Sequence, residues 1–153
     1  MRFEKVSKYP DAVLPTRATK GSAGYDFTVA ADTFCPYNQV TYVPTGIKMQ
    51  IDEGYELRLS IRSSSPKKYG VVLANGIGVI DSDYYNNVDN EGHIMFAILP
   101  FKGDVTFKKG DRIGQGVISK FYLTDDDAAD GTRSGGFGST NLDGAVFNTD
   151  SLN

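Results

Sequence analysis

Apolar side chains hold every odd position of Tyr55-Glu56-Leu57-Arg58-Leu59-Ser60-Ile61, and a charge or hydroxyl holds every even one. A period of two belongs to an extended strand that buries one face and leaves the other polar. Elsewhere, short runs rich in Val, Ile, Tyr, Phe and Thr recur between Gly, Pro, Asn and Asp, and helical periodicity is almost absent. The pattern predicts strands over 2–8, 26–30, 39–43, 47–51, 55–61, 70–73, 78–80, 93–99, 104–107 and 112–123. Turns are expected at 10–11, 44–45, 52–54, 102–103 and 109–110. One short helix is expected over 63–69, with Pro66 in its first turn. Short strands joined by tight turns predict an all-β domain, a sandwich or barrel for which jelly-roll closure is one option.

The 153 residues suffice for one domain with a real core. After the last long strand, the acidic run Asp125-Asp126-Asp127 and the residues to Thr132 read as a solvated linker. This divides the chain into a β body, 1–124, and a linker with a flexible glycine-rich C-terminal arm, 125–153. A net charge of −3 argues against broad nucleic-acid binding, which needs a basic footprint. The single cysteine, Cys35, cannot form an intrachain disulfide. No apolar run reaches the length of a membrane span, and the first residues lack a signal-peptide core, so a cytoplasmic protein is expected.

Candidate chemistry lies in a few segments. Arg133-Ser134-Gly135-Gly136-Phe137-Gly138-Ser139-Thr140 sets one aromatic among glycines, a cation before it and hydroxyls after it. Glycines let backbone N–H groups converge on an anion, an arginine fork grips phosphate oxygens, and Phe137 offers a face for a base. Arg62 and Ser63-Ser64-Ser65 stand where a strand hands over to the short helix, a place that favours phosphate and equally suits plain capping. In the segment from Asn75 to Tyr84, Asn75-Gly76 predicts a tight hairpin turn, and Asn75 carries both a donor and an acceptor for a pyrimidine edge. Asp81 follows an apolar run, so its carboxylate is expected to be partly desolvated and suited to holding a water as general base. The only histidine, His93, reads as structural, and no Cys or His spacing suits a protein-held zinc.

In order, Ala23-Gly24-Tyr25-Asp26-Phe27, Arg62-Ser63-Ser64 with Lys68 and Gly70, Asn75 through Tyr84, Gly110-Asp111-Arg112-Ile113-Gly114-Gln115, and Arg133 through Thr140 resemble the five motifs of the trimeric dUTPases. The resemblance implies a jelly-roll-like fold and a homotrimer with active sites at subunit interfaces, each closed by a neighbour's arm. It also implies Mg²⁺-assisted hydrolysis of dUTP to dUMP and pyrophosphate. By the match, Asp81 activates the water that attacks the α-phosphorus. Asn75 and the backbone around Gly78 and Ile80 read uracil, and Tyr84 packs under the deoxyribose and excludes a 2′-hydroxyl. Arg62, Ser63, Ser64 and Gln115 belong to the phosphate site, and Asp26 supports it, in part through the metal's water shell. In the arm, Phe137 with Gly138 covers the base while Arg133, Ser139 and Thr140 grip the γ-phosphate.

The chain departs from the family pattern at Tyr85-Asn86, where Arg-Gly is usual, and in a longer, more polar loop over 85–92. Ser64 and Asn141 stand where glycine is common, and one residue rather than two separates Arg133 from Gly135. Two alternatives are a dCTP deaminase, whose fold resembles the dUTPases but which needs no aromatic arm, and a nucleotide-binding regulatory trimer without turnover.

Overall fold

The computed structural model describes residues 1–131, 133 and 135. Strands run in the order β1 (Arg2–Lys5), β2 (Tyr25–Thr28), β3 (Thr33–Cys35), β4 (Thr41–Gln50) and β5 (Tyr55–Ile61). Helix α1 (Ser65–Tyr69) follows, then β6 (Val71–Leu73), β7 (Gly78–Ile80) and a 3₁₀ turn over Ser82–Tyr84. Strands β8 (Ile94–Pro100), β9 (Val105–Phe107) and β10 (Arg112–Lys120) complete the body. They form two four-stranded sheets, β1-β4-β8-β6 and β2-β10-β5-β7, and a small β3-β9 pair, antiparallel throughout. The fold is all-β and jelly-roll-like.

The period of two decides what lies between the sheets. Leu57 and Leu59 of β5 and Phe27 of β2 face inward from one sheet, and Val43, Ile94, Phe96 and Ile98 from the other, all essentially buried. Each such side chain contributes about 1.5–3 kcal/mol through the water it sheds. The Phe27 and Phe96 rings meet edge to face at 5.7 Å and tie one sheet to the other. Gly114 of β10 is what permits that approach: a Cβ there would sit 2.2 Å from the Phe96 ring and 2.7 Å from the Ser60 carbonyl oxygen.

Several expectations need correction. The turn expected at 44–45 is a bulge inside one long strand, with register passing from Pro44↔Met95 to Ile47↔Ile94. Its extra residues are satisfied locally: the Thr45 hydroxyl donates to the Ile94 carbonyl (2.5 Å), and the Gly46 amide donates to His93 Nε2 (2.8 Å). Asn75-Gly76 is a turn with Gly76 at φ +71°, yet no hairpin, because β6 pairs with β8 and β7 with β5. The turn passes the chain from one sheet to the other. Strand β3 is not expected from the sequence, because Thr33-Phe34-Cys35 stands between Asp32 and Pro36, residue types that mark turns; its pairing with β9 makes it a strand. Helix α1 starts at Ser65 rather than 63, with Ser64 at its N-cap making no side-chain capping bond.

Candidate active site

On the outer face of the β2-β10-β5-β7 sheet, register places Asp26, Gln115 and Ser60 side by side on three neighbouring strands. Gln115 Nε2 donates to Ser60 Oγ at 3.4 Å, and Arg112 Nη1 donates to Asp26 Oδ2 at 3.3 Å. Gly24 leaves room for the Gln115 side chain, since a Cβ there would lie 2.4 Å from Oε1. Beside this row opens a polar cleft of about 240 Å³, lined by Gly24, Asp26, Arg62, Ser63, Arg112 and Gln115 among others. Two guanidinium groups against one carboxylate leave it a net cation, with hydroxyl and amide donors at its wall. Such a cleft suits phosphate oxygens.

A second cluster forms where β7 ends. Asp81 is extended (φ −86°, ψ 160°) and half-exposed at the start of the 3₁₀ turn. Arg133 Nη2 donates to Asp81 Oδ2 (2.7 Å) and its Nε to Asp83 Oδ1 (2.9 Å), while the guanidinium lies 5.8 Å from the centre of the Tyr84 ring. Desolvation raises the proton affinity of the Asp81 carboxyl above the ordinary aspartate value, against the opposing charge of Arg133 and with help from Asp83 and Glu56. A carboxylate so placed is a better proton acceptor than one in water. Tyr84 is buried, its hydroxyl donating to the His93 carbonyl (2.9 Å) and accepting from Asn90 Nδ2 (2.9 Å). Burial also raises the Tyr84 phenol, so the hydroxyl keeps its proton at neutral pH.

The predicted residues thus fall into two groups. Asp26, Arg62, Ser63 and Gln115 share the cleft, and Ser64 stands exposed at the helix start beside it. Gly78, Ile80, Asp81, Tyr84 and Arg133 belong to the β7 end, with Asn75 exposed at the turn before it. None of the second group lines the first cleft. Phe137, Gly138, Ser139 and Thr140 lie outside the described residues. Sequence reasoning assigned no role to Arg112, Asp83, Glu56 or Asn90. Arg112 was within reach, sitting in a quoted motif, whereas Asn90 lies in a loop with no periodic signal. Among the described residues, no three His, Cys, Asp or Glu side chains are grouped to hold a metal ion.

The family model for dUTPase matches residues 11–141, most of the chain. The chain belongs to the dUTPase family. Among dUTPases, it is 43% identical over 143 residues to the deoxyuridine 5′-triphosphate nucleotidohydrolase of Lactococcus lactis, covering 90% of this chain and 95% of that one. The crystal structure of the dUTPase from Streptococcus mutans superposes with a TM-score of 0.79 at 44% identity, covering 80% of this chain and 98% of that one. A dUTPase from phage phi11 of S. aureus, described as coordinating a structural Mg(II) ion, shares the fold at 20% identity with a TM-score of 0.68, over 85% of this chain and 96% of that one. Of the five motif-like segments of the sequence, the first, second and fourth contribute lining residues to the cleft, and residues of the third meet Arg133 in the Asp81 cluster.

Proposed function

We propose that this dUTPase hydrolyses dUTP to dUMP and pyrophosphate by attack of water on the α-phosphorus, at sites completed between the copies of a homotrimer. The observation that carries the reading is Asp81, a half-exposed carboxylate with raised proton affinity, one turn from the buried ring of Tyr84. Asp81 accepts the proton of the attacking water; a bond forms from the water oxygen to Pα, and the bond from Pα to the bridging oxygen of Pβ breaks. The leaving pyrophosphate takes that electron pair. Asp81 supplies about 10²- to 10⁴-fold of the rate as a positioned base. Asn75 and the backbone at Gly78 and Ile80 read uracil, and the Tyr84 ring carries the sugar.

The trimer has its own support. Among the described residues of one chain, the cationic cleft and the Asp81 cluster share none, so a phosphate-holding half and a water-activating half are brought together most simply by two chains. The division into a body, 1–124, and an arm, 125–153, fits this assembly, with Phe137 and Gly138 closing over the base and Ser139 and Thr140 reaching phosphate. Arg133 exchanges the Asp81 and Asp83 carboxylates for the γ-phosphate as the arm closes. Its departure removes a charge that lowers the proton affinity of Asp81 and so strengthens the base.

Mg²⁺ fits the hard oxygen chemistry of the cleft, where the Asp26 carboxylate would hold it through water while phosphate oxygens supply most ligands. Bound there, the ion neutralises triphosphate charge. Among the described residues no helix is long and apolar enough to cross a membrane. The reading is tested by pyrophosphate release from dUTP, with dCTP alongside. Ammonia from dCTP, or binding without turnover in both the native chain and Asp81→Asn, would overturn it.

A further inference from the structure

The loop after Tyr84 does more than connect the 3₁₀ turn to β8. It holds Tyr84 at both ends. Asn87 Nδ2 donates to the Tyr84 carbonyl (2.8 Å), while Asn90 Nδ2 donates to the Tyr84 hydroxyl (2.9 Å), which itself donates to the His93 carbonyl (2.9 Å). Asn90 is fixed in turn: its Oδ1 accepts from Asn87 Nδ2 (2.8 Å) and the Gly92 backbone N–H (3.0 Å), and its own backbone N–H donates to Asn87 Oδ1 (3.1 Å). The loop is moored to the other sheet. Tyr85 donates to Glu4 on β1 (2.6 Å), Lys48 of β4 donates to Asn86 Oδ1 (2.7 Å), and the Ser7 hydroxyl and amide donate to Glu91.

A phenol ring whose hydroxyl donates once and accepts once can neither swing nor sink without breaking a buried hydrogen bond. Its far end is therefore set by the loop, and the height of its face is set with it. We propose that Asn90 is a positioning residue for sugar selection: by pinning the Tyr84 hydroxyl it fixes the ring at the height that admits a 2′-deoxyribose and rejects a ribose. The inference rests on the proposed function for the identity of the ligand. It adds a determinant outside the residues that touch it. Selectivity follows because a 2′-hydroxyl is excluded only by a surface that cannot yield; a ring free to drop by a fraction of an ångström admits both sugars.

The test compares imido analogues of dUTP and UTP by calorimetric binding, and pyrophosphate release from dUTP and UTP, for the native protein and three variants. Asn90→Leu removes both donor and acceptor. Asn90→Ser keeps an oxygen that accepts from the Gly92 amide two residues on but is too short to reach the Tyr84 hydroxyl, and it carries the test if the leucine variant does not fold. Asn86→Gly removes one mooring, the bond from Lys48 to Asn86, and leaves Tyr85 on Glu4 and Ser7 on Glu91 to hold the loop and Asn90; its φ of +57° suits glycine. The deoxy-to-ribo preference should fall about three- to tenfold in the Asn90 variants, the worth of one hydrogen bond, and stay native in Asn86→Gly. An unchanged preference in both Asn90 variants overturns the proposal, as does an equal fall in Asn86→Gly. Because binding is read apart from turnover, a native protein that prefers the deoxy analogue yet releases no pyrophosphate counts against the proposed hydrolysis and leaves this assignment standing.

Discussion

If the phosphate-holding and water-activating halves of each site come from different chains, two inactive variants should repair each other. Asp81→Asn removes the base and should cost about 10²- to 10⁴-fold in turnover. Ser63→Ala with Gln115→Leu removes two donors from the cleft. Hydrogen bonds to charged groups are worth about 1.5–3 kcal/mol each, so the pair should cost about 10²- to 10⁴-fold as well. Neither perturbs the core: Ser63 is exposed, and Gln115 faces outward from β10. Equal amounts co-refolded into random trimers give a site a chance of about one half of receiving an intact Asp81, and about one half of receiving an intact cleft from the neighbour. About a quarter of the sites are then whole. Pyrophosphate release should rise from near zero to about a quarter of the native rate at equal total protein. Activity no greater than that of the parents, in preparations where native mass spectrometry shows mixed trimers, would refute the division of the site between chains.

Other consequences can be checked separately. His93 is buried, with Nε2 accepting from the Gly46 amide, and desolvation with the charge of Lys8 lowers its pKa to about 4. Below its ordinary value near 6.5 the unfolded chain takes up a proton that the folded chain refuses. Stability contributed by the neutral ring is therefore complete above pH 6.5 and lost as pH falls toward 4, by at most about 3 kcal/mol. Urea unfolding of Asp81→Asn, which removes the raised carboxyl that works the other way, should show this slope, and His93→Gln should flatten it. Gly24→Ala should leave the melting temperature within about 2 °C, because the obstructing atom is the flexible end of Gln115. It should still lower kcat/KM about tenfold by displacing that donor; native kinetics would contradict the role of Gln115. Phe137→Ala should weaken dUTP-analogue binding by about 1–3 kcal/mol in calorimetry without altering stability, if the ring stacks on the base.

Local pattern carried the fold where one strand meets one core. The alternation over 55–61 matched β5 at both ends, and 78–80 matched β7. It failed where partners decide. Pro44 and Thr45 read as a turn because nothing in their neighbourhood announces that Thr45 and the distant His93 will satisfy a bulge. The run through 121–123 extends β10 on paper, but pairing with β5 stops at Lys120↔Tyr55, and Phe121, Tyr122 and Leu123 are exposed. The site shows the same division. Asp81 and its desolvation could be read from the apolar run before it, whereas the Arg112–Asp26 pair and the reach of Arg133 to Asp81 join residues 86 and 52 positions apart. The hold of Asn90 on Tyr84 depends on the shape of a loop whose sequence shows only polarity.

Hydrolysis in H₂¹⁸O, followed by mass spectrometry of both products, bears most directly on water attack at the α-phosphorus. Water attack at Pα puts one ¹⁸O in dUMP and none in pyrophosphate, at a rate that collapses in Asp81→Asn. Label found in pyrophosphate would place the attack on the β-phosphorus and contradict it.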